Sequence, residues 1–257
     1  MNPINLITDS YERKARLYPG LLLIAPVLIV LIGVASAKLS RLESLGTALA
    51  GCGGAFLMAQ LARDAGKKRE KTWFEAWGGM PSVAIFRHRD SRIDAITKAR
   101  FHARMAALVK DTKAPTKEEE TADPSVADQV YGAWSSFLRI HTRDTKKYPL
   151  VFQENVSYGF RRNVCGLRPV GIVVSAISFA GGVLWLYHLH FSAAAITPES
   201  VGALACAFVF LLLWVFRFTP DWVRMPADAY AERLAESVDS MSGEPQSSKV
   251  RAKKGTA

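Results

Sequence analysis

Acidic residues are scarce in this chain, cysteines are scarcer, and four long stretches carry no charge at all. The 257 residues include 23 Asp or Glu against 33 Lys or Arg, and three Cys. Cys52, Cys165 and Cys206 form no C-x-x-C pair and no disulfide framework. "HRD" at 88–90 imitates a kinase catalytic loop, but the Asn required five residues on is Ala95. No Gly-rich phosphate loop, D-F-G or G-x-S-x-G elbow is present. The five histidines lack converging partners at metal-ligand spacing. These absences argue against an enzyme and leave no residue set for a metal or cofactor.

What is there is strongly segregated. Residues 18–37, 45–62, 169–198 and 201–216 hold no Asp, Glu, Lys or Arg, and a bilayer core of roughly 30 Å needs about 20 such residues. The pattern predicts an all-α membrane protein with four transmembrane helices in two hairpins and a mainly helical cytoplasmic domain between spans two and three. The first run also imitates a secretory signal, with "ERKAR" before it and "ASA" near its end. It is longer than an h-region, however, and a second run follows after only "KLSRLES".

Lys and Arg flanking the spans are retained on the cytoplasmic side. Arg13, Lys14 and Arg16 precede span one; Arg63, Lys67, Lys68, Arg69 and Lys71 follow span two. Arg161, Arg162 and Arg168 precede span three, and Arg217 and Arg224 follow span four. The opposite loops carry only Lys38 and Arg41. A multi-pass protein of a bacterial inner membrane with both termini cytoplasmic is expected. Its parts would be 1–63 (tail and first hairpin), 64–167 (basic domain), 168–220 (second hairpin) and 221–257 (tail, disordered from about 239). With no Asp, Glu, Lys or Arg inside a span, a proton relay or charge-coupled transporter lacks its expected intramembrane group. A pore would be lined by neutral groups such as Gln60 and Ser178, or built from several subunits.

Segment 64–167 holds 19 basic and 13 acidic residues. Residues 90–110 suggest a helix capped by Asp90 or Ser91, with Ile93, Ile96, Phe101, Met105 and Leu108 inward and Arg92, Lys98, Arg100 and Arg104 outward. "KEEETAD" at 117–123 reads as a solvated loop. Asp123 and Pro124 then open a second helix. Its apolar stripe would be Val126, Val130, Trp134, Phe137 and His141, with Arg139, Arg143 and Lys146 on another face. Gly46, Ala50 and Gly54 in span two, and Gly171 and Ser175 in span three, form small-residue faces suited to close helix packing.

The chemistry these residues offer is binding. Cations neutralise phosphates and aromatic rings stack on bases. The candidate ligand-binding set is Arg87, Arg89, Arg92, Arg139, Arg143, Lys146, Lys147, Tyr158, Arg161 and Arg162. Anionic lipid headgroups would satisfy the same charges.

"WGGMPSV", "FRHRDSRIDAITKARFH" and "TRDTKKYPLVFQENVSYGFRRNVCGLRPVGI", with the spans around them, resemble the four-span membrane effectors of bacterial anti-phage defence, the Hailong-type systems in particular. That resemblance implies a homo-oligomeric, channel-like assembly, a tetramer, encoded beside a nucleotidyltransferase. A nucleotide or short single-stranded DNA made by that partner would bind the cytoplasmic face and hold the pore shut until infection. The alternative from a different class is a membrane-anchored interaction module that recruits a cytoplasmic partner without conducting ions.

Overall fold

The computed structural model describes residues 9–34 and 54–241. Among these residues all regular structure is helical. A π-helical segment Glu12–Leu17 leads into α1 (Tyr18–Val34), followed by α2 (Gly54–Ala76), the short α3 (Pro81–Ala84) and α4 (Ala95–Leu108). Then come α5 (Lys117–Ala122), α6 (Pro124–His141), α7 (Pro149–Phe191) and α8 (Pro198–Leu212). A second π-helical segment, Leu213–Arg217, joins α8 to α9 (Pro220–Glu236), and a 3₁₀ turn, Ser237–Ser240, closes the described chain.

Among the described residues three helices are long and apolar enough to cross a membrane: Glu12–Gly33, Pro149–Phe191 and Pro198–Arg217. Of the fourth expected span, residues 45–53 lie outside the described residues, as do Gly46, Ala50 and Cys52; α2 begins at Gly54. The chain divides into two compact units, with breaks at 81/82, 148/149 and 230/231.

The membrane-compatible unit holds α1, α2, α7, α8 and the first part of α9. Helix α7 is its spine and packs on α1, α2 and α8. Its 43 residues extend about 64 Å at 1.5 Å per residue, against roughly 30 Å of hydrocarbon. The uncharged stretch from Pro169 to Phe191 alone has about the length of that core, and the helix runs roughly five turns before it. Leu23, Ala62, Val164, Leu167, Trp214, Phe218 and Trp222 form the core. Close approach is built from glycine: a Cβ on Gly166 would sit 2.4 Å from the Gly66 nitrogen, and one on Gly171 2.3 Å from the Trp214 ring. Gly171 and Ser175, the small face expected on span three, are both buried.

The helical unit holds α3 to α6, the end of α9 and the 3₁₀ turn. Phe86, Tyr131, Trp134, Met105 and Leu138 are fully or almost fully buried. Phe86 meets Trp134 edge-on with ring centroids 5.7 Å apart, and Tyr131 lies 5.5 Å from the same indole.

Several elements differ from the sequence expectation. Helix α4 starts at Ala95, because the Asp94 side chain caps Thr97 N while Asp90 pairs with Arg92. Its buried residues are Lys98, Phe101, His102 and Met105, whereas Ile96 is 81% exposed. Lys98 turns inward because its ammonium donates to the carbonyls of Arg87 and Asp90. "KEEETAD" contains helix α5, opened by a reciprocal capping box between Thr116 and Glu119. Asp123 and Pro124 do start α6. The face α6 buries is Ala127, Tyr131, Trp134, Ser135 and Leu138, so the expected stripe is a flank of the true one. The helix ends at His141, which puts Arg143 and Lys146 beyond it. In the described part of the tail Asp239 accepts from Arg100, and the Met241 carbonyl from Arg104. Residues 242–257 lie outside the described residues.

Candidate functional site

On α7, five residues from Tyr158 to Arg168 form a polar collar in the part of the helix that precedes the uncharged stretch. Burial of a polar group is costly unless it is hydrogen-bonded, and each collar residue has found a partner on another helix. Arg162, 7% exposed, reaches Glu70 of α2 at 3.3 Å, and its Nε donates to Asn163 Oδ1 at 3.1 Å. The Tyr158 hydroxyl donates to the same Glu70 oxygen at 2.5 Å. The Asn163 amide donates to the Ala15 carbonyl at 2.6 Å. Arg168 donates to the carbonyls of Trp214 (3.1 Å) and Val215 (2.7 Å). Arg161 donates to the Trp222 carbonyl at 3.2 Å, and its guanidinium and that of Arg217 each lie 5.1 Å from the Trp222 ring centre.

The carbonyls that accept from Asn163 and Arg168 share a feature. Ala15 lies in the first π-helical segment, and Trp214 and Val215 lie in the second. A π-helical turn disrupts the i→i−4 ladder and recurs at functional positions. The collar therefore grips α1 at its start and α8 at its end, on carbonyls within the irregular turns.

In the helical unit a second network surrounds Glu120. Its Oε2 accepts from the His88 amide (2.7 Å) and from the Tyr131 hydroxyl (2.9 Å). His88 Nε2 donates to the Pro115 carbonyl and His102 Nε2 to the Phe86 carbonyl. The two imidazoles meet edge-on, 4.9 Å apart. Burial lowers the His102 and Lys98 pKa values from their ordinary range and raises that of the Tyr131 phenol, which Glu120 raises further. Burial also pulls the Asp90 carboxyl up, but hydrogen bonds from Arg92 outweigh it and leave the pKa low. Among the described residues no three His, Cys, Asp or Glu side chains could hold a metal ion.

The ten predicted ligand residues divide between the two units. Tyr158, Arg161 and Arg162 belong to the α7 collar. Arg87 is engaged bidentately by Asp128 (2.8 and 2.6 Å), Arg92 pairs with Asp90 at 2.7 Å, and Arg139 donates to Ser136 at 2.9 Å. Arg89, Arg143, Lys146 and Lys147 are exposed, and Lys147 lies 5.4 Å from the Tyr148 ring centre. Sequence reasoning missed Glu70, Asn163 and Glu120 as partners. The available signal was weak: a lone acid amid the "KKREK" run, an Asn after two arginines, and the third Glu of an acidic cluster.

No known protein family, curated protein or solved structure matches the chain.

Proposed function

We propose that this chain is a membrane effector of anti-phage defence. Several copies form an ion-conducting pore whose opening is controlled from the cytoplasmic face by a nucleotide or short DNA oligomer. Four spans in two hairpins follow from the uncharged runs, and cytoplasmic termini from the distribution of Lys and Arg beside them. One observation supports it above the rest. Helix α7 is a single 43-residue rod whose polar collar holds the ends of two other membrane-compatible helices. Displacement of its half before the uncharged stretch would reach both helices at once. A ligand acts by binding one of two such arrangements more tightly. Arg89, Arg143, Lys146 and Lys147 have the exposed charge to meet its phosphates, while the collar supplies the coupling.

The test is membrane potential in cells expressing the chain alone, then together with the gene beside it. Depolarisation by the chain alone, relieved by the neighbour, is the expected result. No depolarisation in either state, nor after phage challenge, would favour the anchored interaction module.

A further inference from the structure

Helix α6 carries a second apolar strip that its own unit leaves open. Val126, Val130, Ala133, Phe137 and Ile140 follow one another at intervals of four, three, four and three residues, the spacing of a helix–helix seam. None of them belongs to the buried face at 127, 131, 134 and 138. Val126 and Ile140 are each 55% exposed and Ala133 is exposed, with Val130 and Phe137 half-buried beside them. A Cβ added at Gly132 would meet nothing within 4 Å. The strip is thus small at its centre and bulky at its ends.

Charge selects what can cover it. Before α6 the exposed acids Glu118, Glu119 and Asp123 outnumber the exposed Lys117; after it the exposed Arg143, Lys146 and Lys147 outnumber the exposed Asp144. The helix dipole has the opposite polarity, so an antiparallel neighbour of the same kind also aligns favourably. A parallel copy would set acid against acid and base against base. We propose that α6 is where two copies of this chain meet, antiparallel, about a two-fold axis passing near Ala133. Such an isologous contact is self-complementary. It places Val126 of one copy opposite Ile140 of the other, seven residues either side of the centre, and Ala133 against Ala133. Five seam positions are few for an isolated coiled coil, but two chains held in one membrane meet at high effective concentration. A tetramer using this contact is a pair of dimers. The proposal does not depend on a pore, because two copies of an anchored module would pair the same way.

Disulfide trapping tests it in the full chain, in membranes, with Cys52, Cys165 and Cys206 replaced by Ala. Ala133→Cys should cross-link to itself. Val126→Cys and Ile140→Cys should cross-link when the two chains are co-expressed and not when either is expressed alone, since a disulfide needs Cα atoms within about 7 Å. Ile96→Cys, exposed on α4, reports random collision. Adding Ala133→Glu opposes two carboxylates at the axis and should cut the mixed 126–140 product on the order of tenfold or more. Cross-linking at 133 no greater than at 96, or self-linking at 126 and 140, overturns the proposal.

Discussion

The two units bury polar groups in different ways. In the helical unit Glu120 bonds the His88 amide and the Tyr131 hydroxyl, His102 packs against Tyr131 and Trp134 and bonds the Phe86 carbonyl, and Lys98 donates to the Arg87 carbonyl. Among the described residues its buried side-chain donors and acceptors all find partners. In the membrane-compatible unit the collar bonds to carbonyls of π-helical turns, and Ser175 Oγ and Trp214 Nε1 are buried without a hydrogen-bond partner. A fully satisfied network specifies one arrangement; those two unsatisfied groups of the membrane-compatible unit lie outside the collar, on α7 and in the second π-helical segment.

This contrast can be broken or sharpened by substitution. The largest effect is expected for Trp134→Ala, which empties a fully buried site and should cost about 3–5 kcal/mol, seen as a lowered thermal midpoint of the full chain in detergent. Glu120→Ala leaves the Tyr131 hydroxyl and His88 amide without an acceptor and should cost about 2–4 kcal/mol. Asn163→Ala in the collar leaves the Ala15 carbonyl and the Arg162 Nε unpaired and should cost about 1–3 kcal/mol and also change the ligand dependence of conduction. An equal loss of stability with unaltered conduction would make the collar structural.

The pH response gives a smaller but specific signal. Burial holds the folded His102 pKa below its ordinary value, while the hydrogen bond to Phe86 and the Glu120 charge oppose this only partly. The unfolded chain therefore takes up a proton first as pH falls. Stability from this group is complete above about pH 6.5 and is lost progressively below it. His102→Gln should flatten the fall in midpoint between about pH 7 and 5. Smallest of all on stability is the triple change Arg143→Ala, Lys146→Ala and Lys147→Ala, expected within about 0.5 kcal/mol. It should reduce the salt dependence of oligonucleotide binding by a log–log slope of about 2 if all three touch phosphates.

The membrane-compatible helices were legible because an uncharged run of span length has few other uses. Asp123–Pro124 was legible because capping is local chemistry. The faces of α4 and α6 were harder to read. On α6, Val126 and Val130 outscore Ala127 and Ser135 in hydrophobicity, yet the second pair is buried. The large rings of Tyr131 and Trp134 set that face. On α4, no propensity tells that Lys98 will turn inward to two carbonyls more than seven residues away. Of the predicted ligand set, Arg87 and Arg162 were recognisable as cations, but their carboxylates, Asp128 and Glu70, are 41 and 92 residues distant. Pairing at that range is a product of the fold.

The most direct test of the central claim is conductance of the purified chain in planar bilayers, with and without a short single-stranded deoxyoligonucleotide. If a bound oligonucleotide holds the pore shut, an ion current appears without it and is suppressed when it is added. No current in either condition, at protein densities where insertion is verified, would contradict a pore.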